Sequence, residues 1–492
     1  MRFDGFIGET YQARSANANA ERCVNLFPEI TGGSGKSKIH YLHTPGLAEY
    51  ITLPDGPVRC LWAGDEKMYV VSGTVYGEIK YGGGIPTFEN RGGVANDGRK
   101  AYIYSNATET GVGGQLIIVS GGSLYCDIGG VADGHNAHVQ AATDSGFVSS
   151  ATYLDGYFIA LERDSNAVYI SALLDGTSWP ALDKQARLSS PDRLVAIAAD
   201  KKLLWMFGKR NIDVWYNSGN ADFPFEPVQS GGIRCGTVLP DTLEDLDNSF
   251  FFAAENERGG VSVLRTEGSN LKRISTHAVE VGISGTLSAN AFRSWTYETD
   301  GHQFYVLTTD VIGQLYSKTF VYDVTTGLWH ERAYWNGSSF DPHLAQCHVY
   351  TNPAYSGGIN YHFVGSRLNG KVYRQSMDLY TDAGGAIRRY RQAPHLSDGQ
   401  SWSFYHELEL DMNIEALAGT PAITLKWSDD DGATWTADKV PVLTASSDAK
   451  KRVIWRRLGR SRDRIFAVTL HGINAPVSIN DAFLELTKGT GA

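Results

Sequence analysis

Residues 203–216 read LLWMFGKRNIDVWY, and this stretch decides the fold of the chain. A short apolar run, a polar Gly-Lys-Arg-Asn break and a second run with polar residues between apolar ones form a pattern that is typical of a β-hairpin. Each run is too short for an ordinary globular helix and is rich in the aromatic and β-branched residues that suit a pleated sheet. The stretch therefore predicts two antiparallel strands joined by a turn.

The same hairpin pattern recurs along most of the chain, and seven such units can be counted between about residues 56 and 390. Their spacing of roughly 40–60 residues is close to the period of propeller blades, which are four-stranded antiparallel sheets repeated around an axis. Because the units are poor copies of one another, the count is not fixed by the sequence. We predict an all-β protein built on a β-propeller of about six to eight blades.

The two ends of the chain differ from this repeat. The first part is irregular and contains a small, polar segment at residues 12–19, which is typical of an extended arm that lies on its own domain or on a neighbour. After about residue 393 the strands become longer, with one polar and one apolar face, as in a small β-sandwich. We therefore predict an N-terminal arm and docking segment at 1–55, a β-propeller at 56–392 and a C-terminal β-sandwich-like domain at 393–492.

Composition and charge exclude several classes of protein. Hydrophobic residues make up 42% of the chain, so a large core can be buried, and the net charge of −10 argues against a surface that binds nucleic acid throughout. No apolar run is long enough to span a bilayer, and the first residues lack the apolar segment of a signal peptide. The cysteines are widely spaced without a C-x-x-C pair, which predicts reduced, mostly buried thiols and assembly in a cytosol.

Two patterns resemble sites of chemistry but are explained better in other ways. Residues 33–37 read GSGKS, yet Ile30 stands where a phosphate-binding loop needs its first glycine, so we expect a flexible loop. A metal site is weakly indicated, and hydrogen-bonded or exposed histidines are favoured over ligands; the residues concerned are His135, His138, His343, Cys347 and His348. We predict no catalytic residues, no cofactor and no metal, and hence no enzyme.

Residues 428–435 read SDDDGATW and match the Asp-box pattern S-x-D-x-G-x-T-W, which is familiar from sialidase propellers. In such a turn the aspartate accepts backbone N–H groups, the glycine takes an unusual dihedral angle and the tryptophan packs beneath. We expect a structural turn formed by Ser428, Asp430, Gly432, Thr434 and Trp435. The pattern also keeps a propeller glycosidase or a carbohydrate-binding protein open as the alternative function.

A basic run interrupts the otherwise acidic chain between residues 450 and 464, with apolar residues between its charges. Alternation along a strand would place Val453, Trp455 and Arg457 on one face, and Arg452, Ile454 and Arg456 on the other. Such a strand suits a contact with an acidic protein partner. A solvated edge strand protected by its charge and a contact with DNA phosphate remain open. The candidate interface residues are Lys451, Arg452, Arg456, Arg457, Arg460 and Arg462.

Four short segments, taken together and in order, resemble the tail hub proteins of short-tailed phages, which are also called packaged-DNA stabilisation proteins or tail accessory factors. They are VNLFPE at 24–29, TPG at 44–46, FG and IDVW at 207–208 and 212–215, and RVIWRRLGR at 452–460. The resemblance extends over the whole chain in order and length.

The resemblance implies a structural virion protein of the phage tail that acts by binding. Such hub proteins form a homohexameric ring beneath the portal and adaptor (head-completion) rings, as part of the head–tail connector. They join the tail after the genome is packaged and help to retain the DNA until genome ejection. They also provide attachment for the tail needle and for the tailspike or tail fibre, and DNA passes through their lumen.

Overall fold

The computed structural model describes residues 1–32, 37–64, 67–82, 85–106, 114–128, 146–189, 191–228, 232–237, 239–255, 260–268, 270–284, 292–309, 317–351, 361–399, 401–414, 422–445 and 450–489. His135, His138 and residues 33–36, which entered the sequence predictions, lie outside the described residues. Within these ranges the regular structure is almost entirely β-strand, with one α-helix, α1 (His277–Ser284), and one 3-10 turn at Pro240–Thr242. The predicted all-β class is confirmed. No described helix has both the length and the apolar character needed to cross a membrane.

Five strands precede the propeller repeat. They are β1 (Tyr11–Gln12), β2 (Ala20–Val24), β3 (Leu26–Ile30), β4 (Ile39–His43) and β5 (Gly46–Thr52). β1 pairs with β2 and β3 pairs with β4, both in antiparallel fashion. All their other strand partners lie more than 270 residues further along the chain.

In the described chain, seven groups of antiparallel strands, named here blades 1 to 7 in chain order, form the β-propeller. The strands of blade 6 belong to a larger sheet that continues into the C-terminal domain. Blade 1 consists of β6 (Val58–Gly64), β7 (Lys67–Ser72), β8 (Val75–Gly82) and β9 (Ile85–Gly93). Blade 2 has the described strands β10 (Tyr102–Ser105), β11 (Leu116–Ser120) and β12 (Ser123–Asp127). Blade 3 consists of β13 (Val148–Leu154), β14 (Tyr157–Glu162), β15 (Ala167–Ile170) and β16 (Lys184–Ala186). Blade 4 consists of β17 (Leu194–Asp200), β18 (Leu203–Gly208), β19 (Ile212–Asn217) and β20 (Phe225–Pro227). The hairpin predicted from residues 203–216 is β18 and β19, paired from Leu203 with Tyr216 to Phe207 with Ile212.

The last three blades complete the ring. Blade 5 consists of β21 (Glu244–Leu246), β22 (Ser249–Glu255), β23 (Val261–Glu267) and β24 (Asn270–Arg273). Blade 6 consists of β25 (Phe292–Thr299), β26 (His302–Thr309), β27 (Lys318–Asp323) and β28 (Leu328–Trp335), and β29 (Phe340–Pro342) pairs with β28. Blade 7 consists of β30 (Ala345–Thr351), β31 (Tyr361–Ser366) and β32 (Lys371–Ser376), and β5 is its outer strand. The short strands β33 (Thr381–Asp382) and β34 (Gly385–Ala386) extend this sheet beyond β5.

Apolar residues fill the space between each pair of consecutive blades. In the described residues seven hydrophobic clusters lie at these junctions, including the one between blade 7 and blade 1. At the junction of blades 4 and 5, for example, the rings of Phe207 and Phe252 meet edge to face with centroids 5.4 Å apart. Burying such a side chain contributes about 1.5–3 kcal/mol, so each blade depends on its neighbours for its core.

The C-terminal strands form a β-sandwich as predicted. They are β35 (Arg389–Gln392), β36 (Leu396–Ser397), β37 (Ser403–Ile414), β38 (Ala422–Ser428), β39 (Val442–Ala445), β40 (Lys450–Ser461), β41 (Asp463–His471) and β42 (Val477–Lys488). One sheet has the order β3-β4-β42-β37-β40-β39, and the other contains β2, β35, β41 and β38. The N-terminal strands therefore belong to both sandwich sheets. The boundaries at residues 55 and 392 stay a prediction, but the first 52 residues contribute strands to the sandwich and to blade 7.

The seam between propeller and sandwich runs along β2, which pairs with β35 on one side and meets β28 of blade 6 on the other. Asn25 follows β2 with a φ of 56°, a left-handed conformation that asparagine tolerates better than most residues. Its side-chain amide donates to the carbonyl oxygens of Ala333 and Arg388, both at 2.8 Å, and its side-chain oxygen accepts from the N–H of Ala333 at 2.9 Å. This explains the asparagine of the VNLFPE segment.

A buried carboxylate holds the same seam. Glu331 lies on β28. Its Oε2 accepts two hydrogen bonds from Arg22, at 3.0 and 2.8 Å, and its Oε1 accepts one from the Thr10 hydroxyl at 3.0 Å. Burial alone would raise the pKa of Glu331, but the charges of Arg22 and Lys318 and these hydrogen bonds outweigh it and lower that pKa to about 2. Since the folded-state pKa lies below the ordinary 4.5, ionised Glu331 stabilises the fold above that pH.

Replacing Phe6 by alanine tests whether the N-terminal segment is part of the sandwich core. Phe6 is fully buried in that core, so Phe6→Ala is expected to lower the free energy of unfolding by about 3–5 kcal/mol. Phe404, on the same domain, is 39% exposed, and Phe404→Ala should change it by only about 0.5 kcal/mol. Chemical denaturation followed by circular dichroism measures both. Equal effects would contradict the packing of the segment into the core.

The carboxylate of the seam predicts a pH dependence. Glu331→Gln leaves Arg22 without a charged partner, and we expect it to lower the free energy of unfolding at pH 7 by about 3–5 kcal/mol. In the native protein this contribution is lost as the pH falls from 4.5 towards 2, so the variant should lose less stability over that range. Glu485→Gln, at an exposed position on β42, is the control. Parallel pH profiles for the native protein and Glu331→Gln would contradict this role.

Candidate protein interface

The basic run forms β40, which lies between β37 and β39 over its first half and becomes an edge strand over its second. Val453 and Trp455 face the sandwich core as the alternation predicts. The prediction that Arg457 shares their face is wrong, because the register with β37 shifts and Arg457 adopts a φ of 60°. Leu458 takes the inner position instead, and Arg457 is exposed.

Two arginines of the run are paired inside the same sheet. Arg452 forms a bidentate contact with Glu409, at 2.6 and 2.5 Å, and Arg456 contacts Glu407 at 2.7 Å. Both glutamates lie on the neighbouring strand β37, and Glu407 stands directly opposite Arg456. Exposed pairs of this kind contribute little to stability, but they neutralise this part of the strand. Lys451 beside them is half-buried.

Arg460 and Arg462 are held differently, because both contact the indole ring of Trp402. The guanidinium carbons lie 4.7 Å and 5.0 Å from the ring centroid, in cation–π geometry. Both side chains are exposed, and in the described part of the chain neither guanidinium group forms an ion pair with a carboxylate. A stacked arginine keeps its N–H groups available for a carboxylate or phosphate oxygen. We name Trp402, Arg460 and Arg462 the arginine clamp.

Arg464, at the end of the run, serves the sandwich itself. Arg464 on β41 is buried, donates to both oxygens of Asp429 at 2.6 and 2.7 Å and also donates to the carbonyl oxygen of Leu458. Its guanidinium group lies 4.7 Å from the ring centroid of Tyr405 and 5.1 Å from that of Trp427. The run therefore contains arginines with different tasks, and the paired and buried ones are not free to bind a partner.

The Asp-box residues form a compact turn after β38. Asp430 accepts the backbone N–H of Thr434 at 2.8 Å and its hydroxyl at 2.5 Å, and Ser428 donates to Asp430 at 2.7 Å. These hydrogen bonds, those from Thr434 first, lower the pKa of Asp430 to about 2. Gly432 has a φ of 88°, and the Trp435 indole donates to its carbonyl oxygen at 3.0 Å. Each polar group of the motif is used within the turn.

Of the described histidines considered as metal ligands, His348 lies on β30 of blade 7 and His343 lies just before that strand. His343 and Cys347 are buried, and burial lowers the pKa of His343 and raises that of Cys347. His348 makes a hydrogen bond of 2.9 Å to His362. Elsewhere in the described chain, ligand atoms of His395, Asp431 and Asp463 lie within 4.8 Å of one another. Both ring nitrogens of His395 are already engaged, one with Asp463 at 2.9 Å and one with the Ala16 carbonyl oxygen at 2.6 Å.

Trp402 is the residue of the clamp that the sequence did not reveal. It lies almost 60 residues before Arg460 and belongs to no motif. Only the pairing of Ser403 with Ser461 brings it beside the end of β40. An aromatic residue at the start of a predicted strand was the available signal, but the register between β37 and β40 was needed to use it.

Comparison with known proteins gives two family matches and a number of weak structural likenesses, two of which are described below. The family model described as bacteriophage P22 Gp10, beta-propeller, matches residues 7–379, and the one described as bacteriophage P22 Gp10, beta-sandwich, matches residues 388–486. No curated protein matches the chain.

Among solved structures, the extracellular domain of the two-component system BT4673 from B. thetaiotaomicron is 10% identical, with a TM-score of 0.41, and the match covers 78% of this chain and 43% of that one. PorZ from Porphyromonas gingivalis is 11% identical, with a TM-score of 0.37, and the match covers 79% of this chain and 46% of that one. The chain thus spans less than half the length of either structure. We infer nothing from either likeness.

Proposed function

The chain belongs to the bacteriophage P22 Gp10 family of tail hub or DNA-stabilisation proteins of short-tailed phages, and from this premise we propose that it acts as a hub subunit by binding and not by catalysis. The observation that carries the proposal is that the two family models match the propeller and the sandwich in order and account for nearly the whole chain. The protein is therefore a structural component of the phage tail, in the virion. We propose that its assembly takes place in the host cytoplasm.

We further propose that six copies form a closed ring. A ring of identical subunits joins two different surfaces of each copy, so one surface must recognise a feature that the other presents. The arginine clamp suits such a contact, since an arginine fixed on an aromatic ring is pre-organised and its fork matches a carboxylate. Exposed carboxylates are plentiful on a chain with 54 acidic residues.

The same subunit docks beneath the portal and its adaptor, the head-completion protein, in our proposal. It helps to retain the packaged DNA and offers attachment for the tail needle and the tailspike or tail fibre. The net charge of −10 supports a passive lumen, because an acidic surface does not adhere to DNA that passes through it. The hydrogen-bonded seam between propeller and sandwich supports a scaffold that keeps several partners in fixed positions.

The mass of the purified protein, alone and mixed with a portal–adaptor complex, tests this function. We expect a monomer that becomes a ring of six copies on the complex, because the portal supplies the template for closure. Native mass spectrometry gives the copy number directly. A monomer that stays indifferent to the complex would contradict the hub function, and a glycan-binding screen would then test the carbohydrate-binding alternative.

Substitution by neutral glutamine distinguishes the role of the arginine clamp from that of the two arginines paired with β37. The double variant Arg460→Gln with Arg462→Gln should weaken ring formation on the complex by about tenfold or more, because it loses one or two charge-assisted hydrogen bonds. The matched variant Arg452→Gln with Arg456→Gln loses only contacts within the subunit and should assemble normally. Thermal unfolding should be nearly the same for both monomers. Equal assembly by the two variants would contradict a role for the clamp.

A further inference from the structure

The loop that joins β15 to β16 in blade 3, residues 171–183, exposes three leucines, and we name it the leucine loop. The exposed fractions are 60% for Leu173, 50% for Leu174 and 89% for Leu182. The proline and the alanine that precede Leu182 are exposed as well. Soluble proteins seldom keep several large apolar groups together in water, and where they do, the surface commonly serves for contact with a partner.

The backbone of the leucine loop is held in a conformation that its sequence disfavours. Leu174 has a φ of 58°, in the left-handed region that leucine rarely adopts. Its N–H donates to the carbonyl oxygen of Gly156 at 2.7 Å, and its carbonyl oxygen accepts the side-chain amide of Asn106 at 3.1 Å. Such a conformation persists only where the surrounding structure imposes it, and it is found most often at functional surfaces.

A hydrogen-bonded turn at Asp175 fixes the middle of the leucine loop. Asp175 accepts the N–H and the hydroxyl of Thr177, at 2.9 and 2.7 Å. The indole of Trp179 donates to the carbonyl oxygen of Gly176 at 2.8 Å, and Trp179 is buried beneath the turn. The Asp-box turn after β38 uses the same kinds of contact. A loop that is ordered in advance loses little conformational entropy when it binds, so its leucines are presented ready for contact.

Two carboxylates accompany the leucines. Asp183 ends the leucine loop, and exposed Asp155 stands next to the glycine that binds Leu174. Asp155 accepts the side-chain amide of Asn217 at 3.2 Å, and in the described residues neither Asp155 nor Asp183 forms an ion pair. The ammonium group of Lys184 lies over the ring of Tyr169, 5.7 Å from its centroid. The leucine loop therefore combines apolar surface with carboxylates that can accept a cationic partner.

The arginine clamp on the sandwich has the complementary character. Its two guanidinium groups lie over Trp402, and the ring of Phe404, 39% exposed, lies beside that tryptophan. A Cβ at Gly489 would be 3.3 Å from the Trp402 side chain and 3.6 Å from the Phe404 ring, so both aromatic groups border the same glycine. Aromatic and cationic groups on this surface match the apolar and acidic groups of the leucine loop.

We propose that the leucine loop of one subunit docks on the arginine clamp of the next subunit. The leucines pack against Phe404 and Trp402, and the carboxylates of Asp155 and Asp183 accept N–H groups of the clamp arginines. This inference rests on the ring proposed above, and it names the surface that the clamp recognises. The two surfaces lie in different domains, as a head-to-tail contact requires, because a closed ring joins two unlike surfaces of each copy.

An exchange of charges tests whether these two surfaces meet. The double variant Asp155→Arg with Asp183→Arg should weaken ring formation on the portal–adaptor complex by about tenfold or more, because charged hydrogen bonds are lost. Arg460→Asp with Arg462→Asp should weaken it as much. The fourfold variant, which carries both exchanges, should restore the ring, since each subunit again presents opposite charges to the next. Native mass spectrometry counts the copies, and unfolding midpoints confirm that each variant monomer is folded.

Leu182→Ser tests the apolar part of the contact and should also weaken ring formation by about tenfold or more, because a leucine is no longer buried against the neighbour. Leu368→Ser is the matched control, since Leu368 is 58% exposed on blade 7, and it should assemble as the native protein does. Equal assembly by these two variants, or a fourfold variant no better than its two parents, would overturn this inference while the native ring and the proposed function stand. A native protein that forms no ring on the complex would refute both.

Discussion

The pairing of β5 with β32 closes the ring of blades, and most of the structure depends on this contact. Each blade buries its apolar faces only against its two neighbours, so an open ring would leave the outer faces of blades 1 and 7 in water. β5 comes from the N-terminal side of the repeat and β32 from its C-terminal end, and they pair in antiparallel fashion from Gly46 with Ser376 to Thr52 with Lys371. Closure therefore brings both ends of the chain to the same side of the propeller.

The sandwich is a consequence of this closure. Once the ends meet, β2, β3 and β4 can add to sheets formed by the C-terminal strands, and Phe3 and Phe6 enter the same core as Leu408 and Val453. The seam at Asn25 and Glu331 then ties this domain to blade 6 by buried hydrogen bonds and an ion pair. Such contacts are stronger in the low-dielectric interior than at the surface. For a hub protein such a seam has a clear use, because partners bound to the two domains keep a fixed relation.

The basic strand illustrates how a fold divides apparently equal residues. Within one short run, Arg452 and Arg456 each pair with a glutamate of β37, and Arg464 is buried and supports the sandwich. Arg460 and Arg462 form the exposed arginine clamp. The division follows from what the neighbouring strands present. Glu407 and Glu409 of β37 lie opposite the middle of β40, and Trp402 stands directly before β37, beside the end of β40. Position along the strand therefore decides which arginine is neutralised and which one is available.

Much of this protein was determined by its sequence alone, because period and turn chemistry are local. The hairpin at 203–216, the propeller repeat, the sandwich strands after residue 393 and the Asp-box pattern at 428–435 could all be recognised from neighbouring residues. The tertiary structure decided what depends on contacts between distant residues: the closure by β5, the sharing of the N-terminal strands, the bulge that turns Arg457 outward and the meeting of Trp402 with Arg460. It also decided the contact of Lys100 with Glu244, which lies more than 140 residues later in the chain. Strand register and ring closure set these contacts, and neither is encoded in a short window of sequence.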